Sequence, residues 1–141
     1  MHTEDLRQLS EVLIQFYEKL SAWEVAVAKS SGLSTQQHHT IAIVGSAGRI
    51  RMKPLAEKLG VTTGTLTVMV DRLQKGKFVE RQPDPTDGRA FNVILTRTGE
   101  AIFKEHHTFH ENLTSDIVGC LDSEEQEHFT SILKKINTTV F

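Results

Sequence analysis

The chain has a single cysteine, Cys120, so it can form no internal disulfide, and this sparing use fits a reducing compartment. No apolar run approaches the ~18 residues that crossing a bilayer requires. The opening residues, Met1-His2-Thr3-Glu4-Asp5, are polar and acidic where a signal peptide would be basic and then apolar. These absences predict a cytoplasmic protein with no membrane partner. Internal repeats and low-complexity stretches are missing as well. No nucleophile elbow, paired catalytic carboxylates or nucleotide-binding loop occurs at usable spacing, which predicts that the protein is not an enzyme. The glycines of Gly45-Ser46-Ala47-Gly48 fit neither nucleotide signature and read as a turn.

What is present is enough for one domain of ordinary size. Of 141 residues, 38% are hydrophobic and 24% charged, which supports a packed core. The net charge of −2 conceals an asymmetry. From Arg49 to Lys104 there are eleven Lys/Arg against six Asp/Glu, whereas the flanks hold five against twelve, together with all seven histidines. A basic middle between acidic ends is the footprint of a nucleic-acid-facing module on a different kind of scaffold.

Periodicity orders the chain. Leu6, Leu9, Leu13, Phe16, Leu20, Trp23 and Val27 alternate steps of three and four, predicting a helix from about Glu4 to Lys29 whose seam faces the protein's own core or a second copy. Ser34-Thr35-Gln36-Gln37 is a capping box that opens a helix to about Val44. Pro54 suits the first turn of a short helix with Leu55, Ala56 and Leu59 inward, and Gly60 closes it. Val61-Thr62-Thr63 restarts a helix in which Leu66, Met69, Val70 and Leu73 form one buried face. Two helices joined by a tight turn make a helix-turn-helix. Residues 78–81 and 90–95 then alternate as strands around the turn-rich Pro83-Asp84-Pro85-Thr86-Asp87-Gly88. Helical spacing returns from Thr98 to about Cys120, with Ile102, Phe103, His106, His110, Leu113 and Ile117 on one stripe. A second capping box at Ser123-Glu124-Glu125-Gln126 opens a last helix with Phe129, Ile132, Leu133, Ile136 and Val140 inward. The fold expected is mainly α with a small β-hairpin wing.

A helix-turn-helix followed by a hairpin is a winged helix, whose second helix enters the major groove. With its apolar stripe inward, that helix offers Thr63, Gly64, Thr65, Thr67, Val68 and Arg72. Threonine methyls and Val68 can meet thymine methyls, hydroxyls can bond phosphates or base edges, and Arg72 can reach phosphate or guanine. Gly64 leaves room for the sugar-phosphate backbone. In the hairpin, Arg89 can enter the narrow minor groove, and Asp87 can hold its side chain extended.

At this point the residues resemble the MarR family of bacterial transcriptional regulators. The likeness runs from Leu55-Ala56-Glu57-Lys58-Leu59-Gly60-Val61-Thr62 through Val70-Asp71-Arg72-Leu73, Val79-Glu80-Arg81 and Asp84-Pro85-Thr86-Asp87-Gly88-Arg89 to Leu95-Thr96 and Thr98-Gly99. It implies one domain over 1–141: a winged helix-turn-helix lobe at 49–97 inserted in a helical dimerisation region formed by 1–30 and 98–141. It further implies a homodimer that binds double-stranded DNA at a near-palindromic operator and represses transcription. The chain departs from the family pattern in three places. Gly88 replaces the first of two wing arginines, Lys53 stands where a hydroxyl cap is common, and Gly76 comes one residue early.

The histidines suggest a switch. His106 and His110 lie four apart on one helical stripe, a two-ligand platform for zinc, and His39 with Glu24 would complete a borderline set that suits Zn(II). His39, His106 and His110 are similar to the ligands of the zinc-uptake repressors of the family, and Glu24 corresponds after a shift of about one turn. The fatty-acid-biosynthesis repressors are equally similar, through His39-Thr40-Ile41, Val61-Thr62, Gly64-Thr65 and the same histidine pair. That likeness implies a fatty acid or acyl carrier as the effector, with the histidines as structural hydrogen-bonders. Buried histidines donating to backbone carbonyls or carboxylates are the third reading. His2, His38, His107 and His128 are expected at the surface, and Cys120, with no neighbour that lowers a thiol pKa, is expected to be packed. A winged-helix protein-interaction module without an operator is the rival to DNA binding; it would favour an acidic recognition helix, and Asp71 is the only acid there.

Overall fold

Caps and glycines divide the chain where the local chemistry demands. The computed structural model describes residues 3–140. In order it contains α1 (Thr3–Ser30), α2 (Thr35–Ala47), β1 (Ile50–Arg51), α3 (Met52–Leu59), α4 (Thr63–Lys75), β2 (Val79–Pro83), β3 (Phe91–Leu95), α5 (Arg97–Gly119) and α6 (Ser123–Thr139). Ser34 Oγ accepts the Gln37 amide at 3.2 Å while Gln37 Oε1 accepts the Ser34 amide at 2.9 Å, so the expected capping box opens α2. Gly60 takes a left-handed φ of 66° and ends α3 by donating to the Ala56 and Glu57 carbonyls. No helix among the described residues is long and apolar enough to cross a membrane.

The chain divides into two compact units between His106 and His107, inside α5. In the first unit, Ile41, Val44, Leu55, Leu66, Val70, Leu73, Val79 and Val93 form a core supplied by α2, α3, α4 and two strands. All four residues of the predicted inner α4 stripe are buried. The antiparallel sheet has the order β1-β3-β2, with Arg51 opposite Asn92 and Gln82 opposite the same Asn92 from the other side. β1 was not expected, because two residues are too short to show an alternating pattern.

Several expectations need correction. α2 continues through Gly45 to Ala47 and ends at Gly48, whose φ is 74°. Gly45 sits within the helix because only a glycine fits there: a Cβ would come within 2.5 Å of the Phe103 ring. The cap of α6 is Asp122, whose carboxylate accepts from the Glu125 amide, one residue ahead of the predicted Ser123. Along α6, Ile132, Leu133, Ile136 and Val140 are exposed instead of buried. The α1 seam, expected to face the core or a second copy, is exposed in the single chain at Leu6, Leu9, Leu13 and Phe16 and half-buried from Leu20 onward, which leaves the second copy open. Cys120 is exposed, its Sγ donating to the Ile117 carbonyl at 3.0 Å. His38 is buried, at 4% exposure, because it shares the inward α2 face with Ile41, while His107 and His128 are exposed as expected. His2 lies outside the described residues.

Candidate nucleic-acid interface

Thr62 caps α4 by accepting the Thr65 amide at 3.1 Å. With the apolar stripe turned inward, Thr63, Gly64, Thr65, Thr67, Val68 and Arg72 all lie on the exposed side of α4. Their hydroxyls are not equivalent. Thr67 Oγ1 donates to the Thr63 carbonyl at 2.8 Å, which leaves its methyl and lone pairs for a ligand. Thr65 Oγ1 accepts from Thr62 Oγ1 at 3.0 Å and so keeps its own proton to give. Gly64 has only the Thr62 hydroxyl near the place of a Cβ, at 3.9 Å, leaving an open surface. Beside Thr65, Val68 and Arg72, a hollow of about 400 Å³ reaches Ser34, Gln36 and Gln37 at the start of α2.

The wing is the β2–β3 hairpin. Its tip folds round Asp84, which is 9% exposed although it is charged. Asp84 Oδ2 accepts from Arg51 Nε at 2.8 Å and Asn92 Nδ2 at 3.2 Å. Asp84 Oδ1 accepts from the Thr86 amide at 2.9 Å, the Thr86 hydroxyl at 2.7 Å and the Asp87 amide at 3.2 Å. The Arg51 guanidinium, with the Thr86 donors next, holds this carboxyl well below the usual carboxylate range. Arg89 is exposed near the tip. Asp87 steadies it through the backbone, Oδ1 accepting the Arg89 amide at 3.0 Å, and not through the side-chain contact expected.

Three further residues, named above only as part of the motif run, tie the wing to neighbouring helices. Arg81 of β2 donates from Nη2 to Asp71 Oδ1 at 2.6 Å and from Nη1 to Gln74 Oε1 at 3.0 Å. Thr96 Oγ1 donates to the Lys77 carbonyl at 2.6 Å and accepts the Gly99 amide at 3.1 Å, capping the start of α5. Gly99 has no room for a side chain, since a Cβ there would overlap the Phe78 carbonyl oxygen. Leu95-Thr96 and Gly99 are therefore a packing signature for the seam between the wing and α5. The early Gly76 has its own outcome: Gly76 is right-handed at φ −74°, and the left-handed residue is Lys77 at φ 63°.

Two of the histidine contacts are distinct pairs. His39 Nε2 lies 3.5 Å from Glu24 Oε1. His106 packs on His38, with ring centroids 4.7 Å apart, and His38 Nε2 lies 2.6 Å from Ser31 Oγ. Burial pushes the His38 imidazole pKa down, and the neighbouring His39 adds to the effect. Among the described residues no three His, Cys, Asp or Glu side chains converge into a group that could hold a metal ion.

Comparison with known proteins agrees with this geometry. The sequence profile of the MarR family matches residues 33–91. The multiple antibiotic resistance protein MarR of Salmonella typhimurium is 33% identical over 109 residues, covering 74% of this chain and 73% of that protein. Among solved structures, the reduced form of Escherichia coli MarR superposes with a TM-score of 0.75 at 28% identity, over 91% of this chain and 95% of that one. FabT of Streptococcus pneumoniae, solved in complex with DNA, has the same fold, with a TM-score of 0.87 at 23% identity and 96% of both chains covered. A helix-turn-helix with its apolar stripe buried and its threonines outward, a wing braced against that helix and this relatedness lead to one conclusion: the chain belongs to the MarR family of DNA-binding transcriptional regulators.

Proposed function

We propose that the protein is a homodimeric repressor that binds a near-palindromic operator and releases it in response to a small effector. The observation that carries the DNA-binding part is the outward face of α4, where Thr63, Gly64, Thr65, Thr67, Val68 and Arg72 stand exposed while every apolar residue of the stripe is buried. In this reading α4 lies in the major groove, with Thr65 donating to a base or phosphate acceptor and Val68 against a thymine methyl. Arg89 reaches the minor groove and Asp87 holds its backbone. Solved relatives support the partner, since a mutant of Escherichia coli MarR has been solved complexed with operator DNA.

Two exposed apolar stripes support the dimer. Leu6, Leu9, Leu13 and Phe16 on α1, and Ile132, Leu133 and Ile136 on α6, form rows that a lone chain would leave in water. A two-fold pair presents two α4 helices to half-sites about one helical turn, ~34 Å, apart, which is why the operator reads as a palindrome. An effector that changes this separation releases the DNA. The separate Glu24–His39 and His38–His106 pairs weigh against Zn(II) as that effector, and a fatty acid or acyl carrier is the alternative class. Elemental analysis of the purified protein, with a His106→Ala/His110→Ala variant beside it, separates the two: zinc present in the parent and lost in the variant would restore the metal reading.

Gel-shift titration against genomic fragments selected by the protein tests the whole. Phosphate neutralisation by Arg and Lys gives a steep fall of affinity with salt. Flat salt dependence, or equal affinity for all sequences, would favour the protein-interaction module instead. Asp71 weighs against that module, because the only acid of α4 is already paired with Arg81.

A further inference from the structure

We infer that Asp84 is the positioning residue of the wing: paired with Arg51, it holds the tip in the shape that presents Arg89 to a duplex. This rests on the DNA-binding reading above and extends it to two residues outside the contact surface. From Asp84 to Arg89 the tip buries only Asp84; Pro85, Thr86, Asp87, Gly88 and Arg89 are all exposed. Apolar packing therefore does not fix its shape, and an unanchored loop of this length would sample many conformations.

The anchor is one carboxylate with five donors, more than its roughly four lone-pair directions can take singly, so it is saturated. The donors come from every part the tip must be registered against. Arg51 lies on β1, Asn92 on β3 opposite Arg51, and Asp84 follows directly on β2. One side chain thus closes all three strands and, through Thr86 and Asp87, sets the start of the turn that carries Arg89. Two backbone bonds, Asp84 N to Ala90 O at 2.9 Å and Ala90 N to Asp87 O at 3.0 Å, complete a loop whose shape follows from where the carboxylate sits. An amide at position 84 cannot replace it, because its NH₂ would face donors.

The test is a double-mutant cycle read by DNA affinity and by amide exchange. Asp84→Asn and Arg51→Gln are each made alone and in an Arg89→Ala background. A tip ordered about a tenth of the time weakens operator binding about tenfold, since apparent affinity scales with the competent fraction. Each single variant is expected to show that loss and to speed exchange of the Thr86 and Asp87 amides in the free protein. In the Arg89→Ala background the same changes are expected to add almost nothing. If Asp84→Asn fails to fold, Arg51→Gln carries the cycle, because the Arg51 side chain is half-exposed. Losses that add fully to Arg89→Ala would overturn the proposal, since Arg51 would then be touching DNA itself. Unchanged affinity in both single variants would overturn it as well. An Arg89→Ala variant that binds like the parent would remove the wing reading itself, and the positioning role with it.

Discussion

The guanidinium of Arg81, on a wing strand, sits 2.6 Å from the Asp71 carboxylate on the recognition helix. The same side chain also reaches the Thr67 carbonyl at 3.5 Å and Gln74 Oε1 at 3.0 Å, so it spans successive turns along one line of α4. Exposed pairs of this kind contribute little to stability, roughly 0.2–1 kcal/mol. Their larger effect here is on the electrostatic surface of α4, because Asp71 is the only acid on the helix proposed to enter the major groove.

Arg81→Gln should therefore weaken operator binding about five- to tenfold at moderate salt, with a melting temperature close to that of the parent. Adding Asp71→Asn should recover most of the loss, because the uncompensated carboxylate is then gone. A gel-shift titration of the three variants checks this. Failure of the second change to rescue would mean that Arg81 acts by orienting the helix and not by masking the charge.

Lys77 carries a strain that the sequence could shed. Its φ of 63° costs a side-chain-bearing residue more than glycine. Lys77→Gly should raise stability by about 0.5–1 kcal/mol, a shift of roughly 2–4 °C in Tm. Gly76→Ala is the informative control, since its Cβ would lie 2.7 Å from the Phe78 ring and φ there is already right-handed. It should lower Tm. Calorimetry on both decides whether the family glycine is displaced by one residue or truly replaced.

Leu13 lies in the middle of the exposed α1 seam, 58% accessible in the lone chain. In the proposed dimer this seam is the covered face, so Leu13→Asp would place a charge in an apolar interface. Sedimentation should show a monomer with native helical circular dichroism, and operator affinity should fall by about 100-fold or more as the two half-sites lose their linkage. A dimer that persists with full affinity would move the interface elsewhere.

Where one local cause decides a feature, the sequence reveals it. Leu66, Met69, Val70 and Leu73 announce the buried face of α4, and Ser34 with Gln37 announces a cap, because each pattern closes within two turns. The features that stayed hidden depend on partners far along the chain. Asp84 looks like an ordinary turn residue until Arg51 folds beside it, and Arg81 like a solvated strand arginine until α4 lies under its reach. Adjacent His38 and His39 differ by a single step of helical phase, and that step sent the inward role to the wrong residue. The α6 stripe shows the opposite limit, since periodicity marks an apolar face without saying what covers it.

His38 provides a titration with a definite sign. Burial, reinforced by His39 and opposed by Glu105 and the Ala28 backbone, depresses its folded pKa below the ordinary histidine value near 6.5. The unfolded chain therefore binds a proton at His38 first as pH falls. Stability should be full above about pH 6.5 and should decline below it, until the pH passes the lower folded pKa and the slope ends. His38→Gln keeps a polar group near Ser31 and removes the titration, so its melting temperature should be flatter than the parent's between about pH 7 and pH 5. Equal slopes in the two proteins would place the acid sensitivity on groups other than His38.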